Sequence, residues 1–244
     1  MDERYEIKNQ NLEEVHWWFI TRQDISYDLI SKLNKNAKIL EIGCSGGPLI
    51  KILNKNGFKN VYGLDISKRA INLCKKRGLD NVFVRDAVKT KFKNKEFDLI
   101  IASDVLEHIK NDKLALVEWN RILKPGGKLI VFVPAFKSLW SPHDETNFHQ
   151  RRYSKSSLVN LFKKADFKII KSSYWNFSLF PIICTVKILQ RSFVNKKQKI
   201  PSQLFGVNRI TNKFLISLIK LENKYLKKFN FPWGISVFVV GEKN

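Results

Sequence analysis

The chain has 244 residues, of which 44% are hydrophobic, so it is long enough for one sizeable α/β domain with an added segment. Its formal net charge is +22, divided into +6 for residues 1–150 and +16 for residues 151–244, which favours an anionic partner such as nucleic acid or a membrane surface. The three cysteines show neither metal-ligand spacing nor a disulfide framework, and the polar, acidic N-terminus predicts no signal peptide, so we expect a cytoplasmic protein without a metal site.

The first predicted element is a helix that starts near Asn11 and runs to about Leu33. Asn9 or Asn11 is expected to cap it, with acidic residues in the first turn. The side chains expected on its core-facing stripe are Leu12, Val15, Phe19 and Ile30. Trp17 and Trp18 exceed what that stripe needs, so they either pack onto a sheet or form a roof over a ligand site.

Residues 37–47 predict a buried strand followed by a glycine-rich turn. The strand contains an apolar run that is interrupted by Glu41. A carboxylate in a buried strand is energetically costly unless a partner or a ligand satisfies it. The turn contains Gly43, Gly46 and Gly47, which let the backbone approach a ligand closely because no Cβ is in the way. This pattern favours a ligand with an amine or hydroxyl groups over one with a pyrophosphate.

Four more apolar runs follow, and several end in an acid. The predicted strands and their flanking residues occupy 61–67, 81–87, 97–108 and 128–134, and a turn at 123–127 precedes the last. Strands that alternate with helix-length segments predict a doubly wound, mostly parallel sheet with a ligand at the carboxyl ends of its strands.

These motifs, in this order over residues 37–134, resemble the class I S-adenosylmethionine-dependent methyltransferases, although Ser45 stands where the middle glycine of the first motif is commonest. The resemblance implies a seven-stranded Rossmann-like sheet, with S-adenosyl-L-methionine as cofactor. Asp65 matches the acid that holds the ribose, and Asp86 the acid that meets the adenine amine. The residues assigned to the cofactor are Glu41, Gly43, Cys44, Gly47, Asp65, Ile66, Asp86, Ala87, Ser103, Val105, Trp18 and Arg22.

The chemistry of the acids agrees with this assignment. The cofactor presents an ammonium group, ribose hydroxyls and an adenine amine, all of which donate hydrogen bonds to carboxylates. A dehydrogenase on this fold would usually carry Gly-x-Gly-x-x-Gly, which residues 43–48 do not fit. Base methylation usually needs Asn/Asp-Pro-Pro-aromatic or a cysteine nucleophile after the fourth strand, where residues 103–106 read Ser-Asp-Val-Leu. RNA or DNA is therefore a less favoured acceptor.

The His-Trp-Trp-Phe-x-x-Arg sequence at residues 16–22 resembles the lead-in of a bacterial and archaeal methyltransferase subgroup associated with cell-surface glycan or lipid biosynthesis. That resemblance implies a hydroxyl acceptor on a glycan or lipid-linked intermediate. The alternatives are C- or O-methylation of a small molecule or quinone-type acceptor, nucleic-acid methylation, and cofactor binding without catalysis.

Residues 135–153 form a predicted loop after the fifth strand, where the fold places an acceptor. His143 and His149 are the candidate bases for oxygen methylation, and Asp144 could orient one of them. The residues predicted to bind the substrate are Trp17, His108, Trp140, Arg151, Arg152 and Tyr153. In the alternative interpretation, residues 151–153 form a turn that fixes the fold, and His108 only shapes the site.

The last part of the chain predicts two strands, at 167–173 and 236–241, separated by a helical, basic insertion at 175–232. The apolar run 175–188 is too short and too interrupted to span a bilayer. A basic linker at 196–199 precedes a predicted amphipathic helix from Thr211 to Phe229. This helix is typical of an interfacial membrane anchor, and a lid over the acceptor site or a dimer contact are the alternatives.

We therefore predict a single domain, built from a helical cap (1–36), a core with an acceptor loop (37–174), the insertion and the last strand (233–244). A location on the inner face of the membrane would follow if the insertion is an anchor. The oligomeric state stays open.

Overall fold

The computed structural model describes residues 3–193 and 207–244. Its centre is a seven-stranded sheet in the order β3-β2-β1-β4-β5-β7-β6, in which β7 alone runs antiparallel to its neighbours. The strands are β1 (Lys38–Ile42), β2 (Asn60–Asp65), β3 (Val82–Val84), β4 (Phe97–Ser103), β5 (Leu123–Pro134), β6 (Phe167–Trp175) and β7 (Ser236–Lys243). The predicted doubly wound sheet is confirmed, and β1 and β4 are central because both are apolar on their two faces.

Helices cover both faces of the sheet. They are α1 (Glu3–Leu12), α2 (Trp17–Ile30), α3 (Pro48–Lys55), α4 (Lys68–Lys76), α5 (Asp112–Ile122), α6 (Pro142–Thr146), α7 (Lys155–Lys164), α8 (Phe180–Phe193) and α9 (Arg209–Leu226). Ile39 of β1 packs in the core with α2, α3, α4 and α9, whereas Leu40 packs with α5 and α7. This alternation along one strand buries apolar side chains on both faces.

The predicted start of the N-terminal helix near Asn11 is wrong, because α1 ends at Leu12 and α2 begins only at Trp17. His16, rather than Asn9 or Asn11, caps α2, and its Nδ1 accepts a hydrogen bond from the backbone N–H of Trp18 at 3.3 Å. Val15 is 58% exposed instead of facing the core. The break buries Glu13 beside the glycine-rich turn, a contact that a continuous helix would not make.

Between β6 and β7, the described residues form the helices α8 and α9. α9 packs against α2 with Leu215, Ile219 and Leu226, while Phe214, Leu221 and Tyr225 on its other side are exposed. Asn223 joins the layers, since its side chain donates to the Thr21 carbonyl at 3.0 Å and accepts from Trp175 Nε1 at 2.8 Å. The predicted basic linker 196–199 lies outside the described residues. No helix in the described part of the chain is long and apolar enough to cross a membrane.

Candidate active site

A single cavity of about 1080 Å³ opens at the carboxyl ends of β1, β2 and β4. Trp17 and Trp18 of α2 are among the residues that line it. We call the part lined by Glu13, Glu41, Asp65 and Asp86 the cofactor half, and the part lined by Glu107, His108, His143, His149 and Arg152 the acceptor half. Both halves belong to one continuous space.

The glycine-rich turn brings the backbone close to the cofactor half. Gly43 has φ +70°, and a Cβ there would lie 2.3 Å from Val105 Cγ2. Gly47 also has a positive φ, but it does not line the cavity, and a Cβ there would meet Leu79 Cδ1 at 2.4 Å. Ser45 adopts φ +45°, the left-handed conformation that glycine at this position would adopt without strain. Gly47 thus serves packing, whereas Gly43 lines the cavity.

Asp65 ends β2 and is held by the turn. Its Oδ2 accepts from the Ser45 N–H at 3.0 Å and its Oδ1 from the Ser67 N–H at 2.9 Å. Burial raises the pKa of its carboxyl group, and the side chain lines the cavity. Ionised Asp65 can therefore accept further hydrogen bonds from the hydroxyl groups of a ligand in the cavity.

The other two acids differ in burial. Glu41 is 8% exposed, burial raises its pKa well above the usual range, and its Oε2 has no hydrogen-bond partner among the described residues. An orphaned buried carboxylate oxygen is suited to a ligand that donates hydrogen bonds. Asp86 is exposed at the rim of the cavity beside Ala87. The remaining predicted cofactor residues that line the cavity are Cys44, Ile66, Ser103 and Val105.

Arg22 projects from α2 into the middle of the cavity wall and is 5% exposed. Its guanidinium lies 5.3, 4.4 and 4.1 Å from the ring centroids of Trp18, Phe132 and Trp175. Nη2 donates to Ser236 Oγ at 3.0 Å and lies 3.4 Å from Asp104 Oδ2, whereas Nε and Nη1 have no partner within the described part of the chain. Nε and Nη1 of Arg22 can therefore donate hydrogen bonds to a ligand carboxylate.

Asp144 organises the acceptor half from behind the cavity wall. It is fully buried and accepts from His149 Nδ1 at 2.9 Å, Arg152 Nε at 2.7 Å and the Ser141 N–H at 2.8 Å. These hydrogen bonds hold the pKa of Asp144 below its ordinary range despite burial. Arg152 also donates to the Ala135 carbonyl at 3.0 Å, so it fixes Asp144 and the loop as well as lining the cavity.

The three histidines have different surroundings. His149 lies 2.9 Å from the Asp144 carboxylate, whereas His143 Nε2 lies 3.2 Å from Asn147 Nδ2. The ring centroid of His108 lies 4.7 Å from that of His149, and burial together with that neighbour lowers the pKa of His108 to about 4. The contact of His149 Nδ1 with the buried Asp144 carboxylate favours His149 as a base.

Three predicted substrate residues lie elsewhere and need correction, because Trp140, Arg151 and Tyr153 do not line the cavity. Arg151 Nη1 lies 2.8 Å from Asp112 Oδ2, and the Tyr153 hydroxyl donates to the same carboxylate at 2.9 Å. Both side chains tie the loop to α5, so the interpretation of a fold-fixing turn is the better one.

Two lining residues escape the sequence analysis. Glu107 is fully buried, and neither carboxylate oxygen has a hydrogen-bond partner in the described ranges. Its position directly before His108 at the end of the fourth motif was an available signal. Glu13 is 4% exposed, and burial raises its pKa to about 7. No pattern marks Glu13, since its position depends on the break between α1 and α2.

Comparison with known proteins agrees with this architecture. The family of methyltransferase domains matches residues 40–131. An uncharacterized protein of Methanocaldococcus jannaschii is 30% identical over 185 residues, which cover 75% of this chain and 77% of that protein. The ubiquinone biosynthesis O-methyltransferase of Pelagibacter ubique is 29% identical over 168 residues, covering 59% of this chain and 67% of the relative.

Among solved structures, phosphoethanolamine N-methyltransferase 2 of Haemonchus contortus in complex with S-adenosyl-L-methionine has a similar fold. The TM-score is 0.62 at 19% identity, and the match covers 91% of this chain and 52% of that one. The chain therefore carries a methyltransferase domain, and its cofactor is S-adenosylmethionine. The orphaned Glu41 oxygen, the free Arg22 donors and the close backbone at Gly43 fit that cofactor.

Proposed function

We propose that this methyltransferase modifies a hydroxyl group, and that His149 is the base. The observation that carries the proposal is the contact between His149 Nδ1 and Asp144 Oδ1 at 2.9 Å in the cavity that also contains Glu41 and Asp65. A carboxylate on one ring nitrogen fixes the tautomer that leaves Nε2 free to take a proton. An amine acceptor needs no such pair once it is neutral.

Different residues of the chain have different functions in the proposed methyl transfer. Bound S-adenosylmethionine supplies a methyl group that its sulfonium activates toward a nucleophile. His149 Nε2 removes the hydroxyl proton, and Asp144 stabilises the resulting imidazolium. Arg152 and the Ser141 N–H keep Asp144 ionised and in place. Trp17 and Trp18 limit the access of water to the cavity, and the walls align donor and acceptor.

The proposed acceptor is lipid-linked or otherwise amphiphilic. Ile183 of α8 and Val207, just before α9, line the cavity, so the insertion forms part of the acceptor's surroundings. The same insertion exposes Phe214, Leu221 and Tyr225 next to lysines. This exposed apolar and basic surface on the same insertion supports an acceptor taken from an anionic membrane.

The relative from ubiquinone biosynthesis supports a second acceptor class. That protein is named an O-methyltransferase, and a quinone precursor would be a smaller acceptor that also partitions into membranes. The large cavity of about 1080 Å³ has room for either class beside the cofactor. A glycan hydroxyl without a lipid would gain little from the exposed apolar residues.

Methyl transfer from deuterium-labelled S-adenosylmethionine to lipid and aqueous extracts tests the proposal. We expect mass spectrometry to find a labelled methyl ether in the lipid fraction, formed about 100-fold or more slowly by His149→Ala. His143→Gln changes the other candidate histidine of the same loop, whose Nε2 lies 3.2 Å from Asn147 Nδ2, and as the matched control it should keep most of the activity. A labelled N- or C-methyl product, or full activity of His149→Ala, would refute the proposed chemistry.

A further inference from the structure

Three groups with metal-binding atoms converge in the acceptor half. Glu107, His108 and His149 each offer one ligand atom, and these atoms all lie within 4.8 Å of one another. Glu107 and His108 follow β4, and His149 follows α6, so two separate segments of the chain contribute. All three residues line the cavity.

The carboxylate of Glu107 indicates that a ligand binds here. Its side chain is fully buried, and both carboxylate oxygens lack a hydrogen-bond partner in residues 3–193 and 207–244. Arg22 and Arg152 act on it electrostatically, but neither donates a hydrogen bond to it. A buried carboxylate in this situation is costly unless a cation or a proton satisfies it.

His149 is already arranged as a metal ligand. Because Nδ1 contacts Asp144 Oδ1 at 2.9 Å, the neutral ring keeps its proton there and presents the lone pair of Nε2 to the cavity. A carboxylate that fixes a ligating histidine in this way is common in metal sites and raises the basicity of the ring. Arg152 holds Asp144 with hydrogen bonds of 2.7 and 3.0 Å, so the arrangement is rigid.

We propose that Glu107, His108 and His149 bind a divalent transition-metal cation, with Zn²⁺ as the best match. Two imidazole nitrogens and one carboxylate oxygen are the ligands that zinc takes in open catalytic sites, where a further position is left for water or substrate. Tetrahedral zinc with ligands at about 2.0–2.1 Å brings ligand atoms to roughly 3.4 Å from one another. Side-chain rotations in the cavity wall therefore have to draw the three atoms together.

The open position gives the cation a role in the proposed reaction, and this role rests on the proposed hydroxyl acceptor. A hydroxyl that binds the cation loses its proton more readily, as water does on zinc. The proton leaves to solvent, the oxygen–methyl bond forms as the sulfur–methyl bond breaks, and the products are a methyl ether and S-adenosylhomocysteine. In the metal-bound enzyme the cation thus takes over the function of the His149 base.

Metal binding is tested on the full chain without cofactor or acceptor. Calorimetry of chelator-treated protein with Zn²⁺ should show one strong site, and Co²⁺ should give the absorption bands of a tetrahedral centre. Glu107→Gln should weaken Zn²⁺ binding by about 100-fold or more, and His149→Ala similarly. His143→Gln removes a histidine from the same wall but not from the cluster, so it should bind Zn²⁺ like the parent protein.

Circular dichroism of each variant establishes that the fold is kept. The absence of saturable binding of Zn²⁺ and Co²⁺ would overturn the proposal, and so would Zn²⁺ affinity that survives both substitutions. The labelled-methyl assay separates this inference from the proposed function. Zinc binding without any methyl ether would refute the hydroxyl acceptor alone, whereas ether formation by a protein that binds no zinc would refute the metal site alone.

Discussion

The two halves of the cavity are built in different ways. In the cofactor half, Glu41 and Asp65 lie on β1 and β2, and Asp86 follows β3 closely, so each is positioned by its own neighbours in the chain. In the acceptor half, His149 depends on Asp144 and Arg152, and it meets Glu107 and His108 from another segment. Local sequence therefore positions Glu41, Asp65 and Asp86, whereas packing between segments positions Glu13 and creates the acceptor half.

The electrostatics of the two halves also differ. Burial raises the pKa of Glu13, Glu41 and Asp65, so the cofactor half carries acids that favour a cationic ligand. In the acceptor half, hydrogen bonds lower the pKa of Asp144, and burial lowers that of His108. S-adenosylmethionine brings an ammonium and a sulfonium group, which match the acids of the first half.

The largest effect is expected from Asp65→Ala. Loss of this carboxylate leaves two ribose hydroxyls unpaired, which should weaken S-adenosylhomocysteine binding by about 2–4 kcal/mol in calorimetry. His149→Ala, in the other half, should leave this affinity near that of the parent protein. Equal S-adenosylhomocysteine affinity of the parent protein and Asp65→Ala would contradict the assignment of the cofactor half, because cofactor binding would then not depend on Asp65.

Glu13→Gln should change the pH dependence of stability. The folded protein holds the Glu13 proton up to a pKa of about 7, whereas the unfolded chain loses it near 4.5. The free energy of unfolding should therefore fall as the pH rises between these values, by up to about 3 kcal/mol, and Gln should remove this loss.

His108 acts in the opposite direction over an overlapping range. Its pKa is about 4 in the folded protein and 6.5 in the unfolded chain, so its contribution to stability grows as the pH rises between them. The difference between parent and Glu13→Gln in urea titrations at pH 5 to 8 isolates the Glu13 contribution. Parallel pH profiles of the free energy of unfolding for the two proteins would show that the fold does not raise the pKa of Glu13.

Charge reversal on α9 tests whether the acceptor half works at a membrane. Lys213, Lys224 and Lys228 are exposed, whereas Lys220 and Lys227 pair with Asp24 at 3.4 Å and Asp28 at 2.8 Å. Changing the first three to Glu should weaken binding to anionic vesicles by about 1 kcal/mol per lysine in co-sedimentation. Lys213, Lys224 and Lys228 are the sharper test, because reversing Lys220 or Lys227 would also disturb the contact between α2 and α9.

Matched reversals at Lys55, Lys76 and Lys168, which are exposed on other elements, should have a smaller effect. High salt should release the parent protein. A parent protein that stays in the supernatant with anionic vesicles at low salt would instead leave a lid or a dimer contact as the role of the insertion.

The smallest effect is expected from Ser45→Gly. Ser45 has φ +45°, and glycine adopts this conformation without strain, so the free energy of unfolding should rise by up to about 1 kcal/mol. Gly47→Ala, two residues away, should be destabilising because its φ is +76° and the added Cβ meets Leu79. Thermal unfolding of the two variants measures both stability changes. A loss of stability in Ser45→Gly would contradict the predicted gain.

The outcome for individual residues shows what the sequence can predict. Asp65 follows an apolar run directly, so strand order alone places it at the cavity. Arg151 and Tyr153 lie in the predicted acceptor loop but point to Asp112, because their direction depends on how the loop packs against α5. Glu107 stands directly before His108 in the fourth motif, but its complete burial results from packing and could not be read from that motif.

The buried and exposed faces of a helix also depend on packing between distant parts of the chain. The periodicity of α9 predicts an amphipathic helix, yet Phe214 and Leu221 face solvent while Asn223 is buried. Asn223 is compatible with the core because Trp175, Thr21 and Asp24 satisfy its side chain, an arrangement that spans three elements. Such long-range hydrogen bonds cannot be predicted from the hydrophobic periodicity of the sequence.

A crystal structure of the complex with S-adenosylhomocysteine tests the division of the cavity most directly. We expect the ribose hydroxyls on Asp65, the adenine beside Asp86 and Ala87, and the carboxylate at Arg22, with the sulfur turned toward an open space in front of His149. A ligand that lies against His149, or whose ribose avoids Asp65, would contradict the assignment of the two halves.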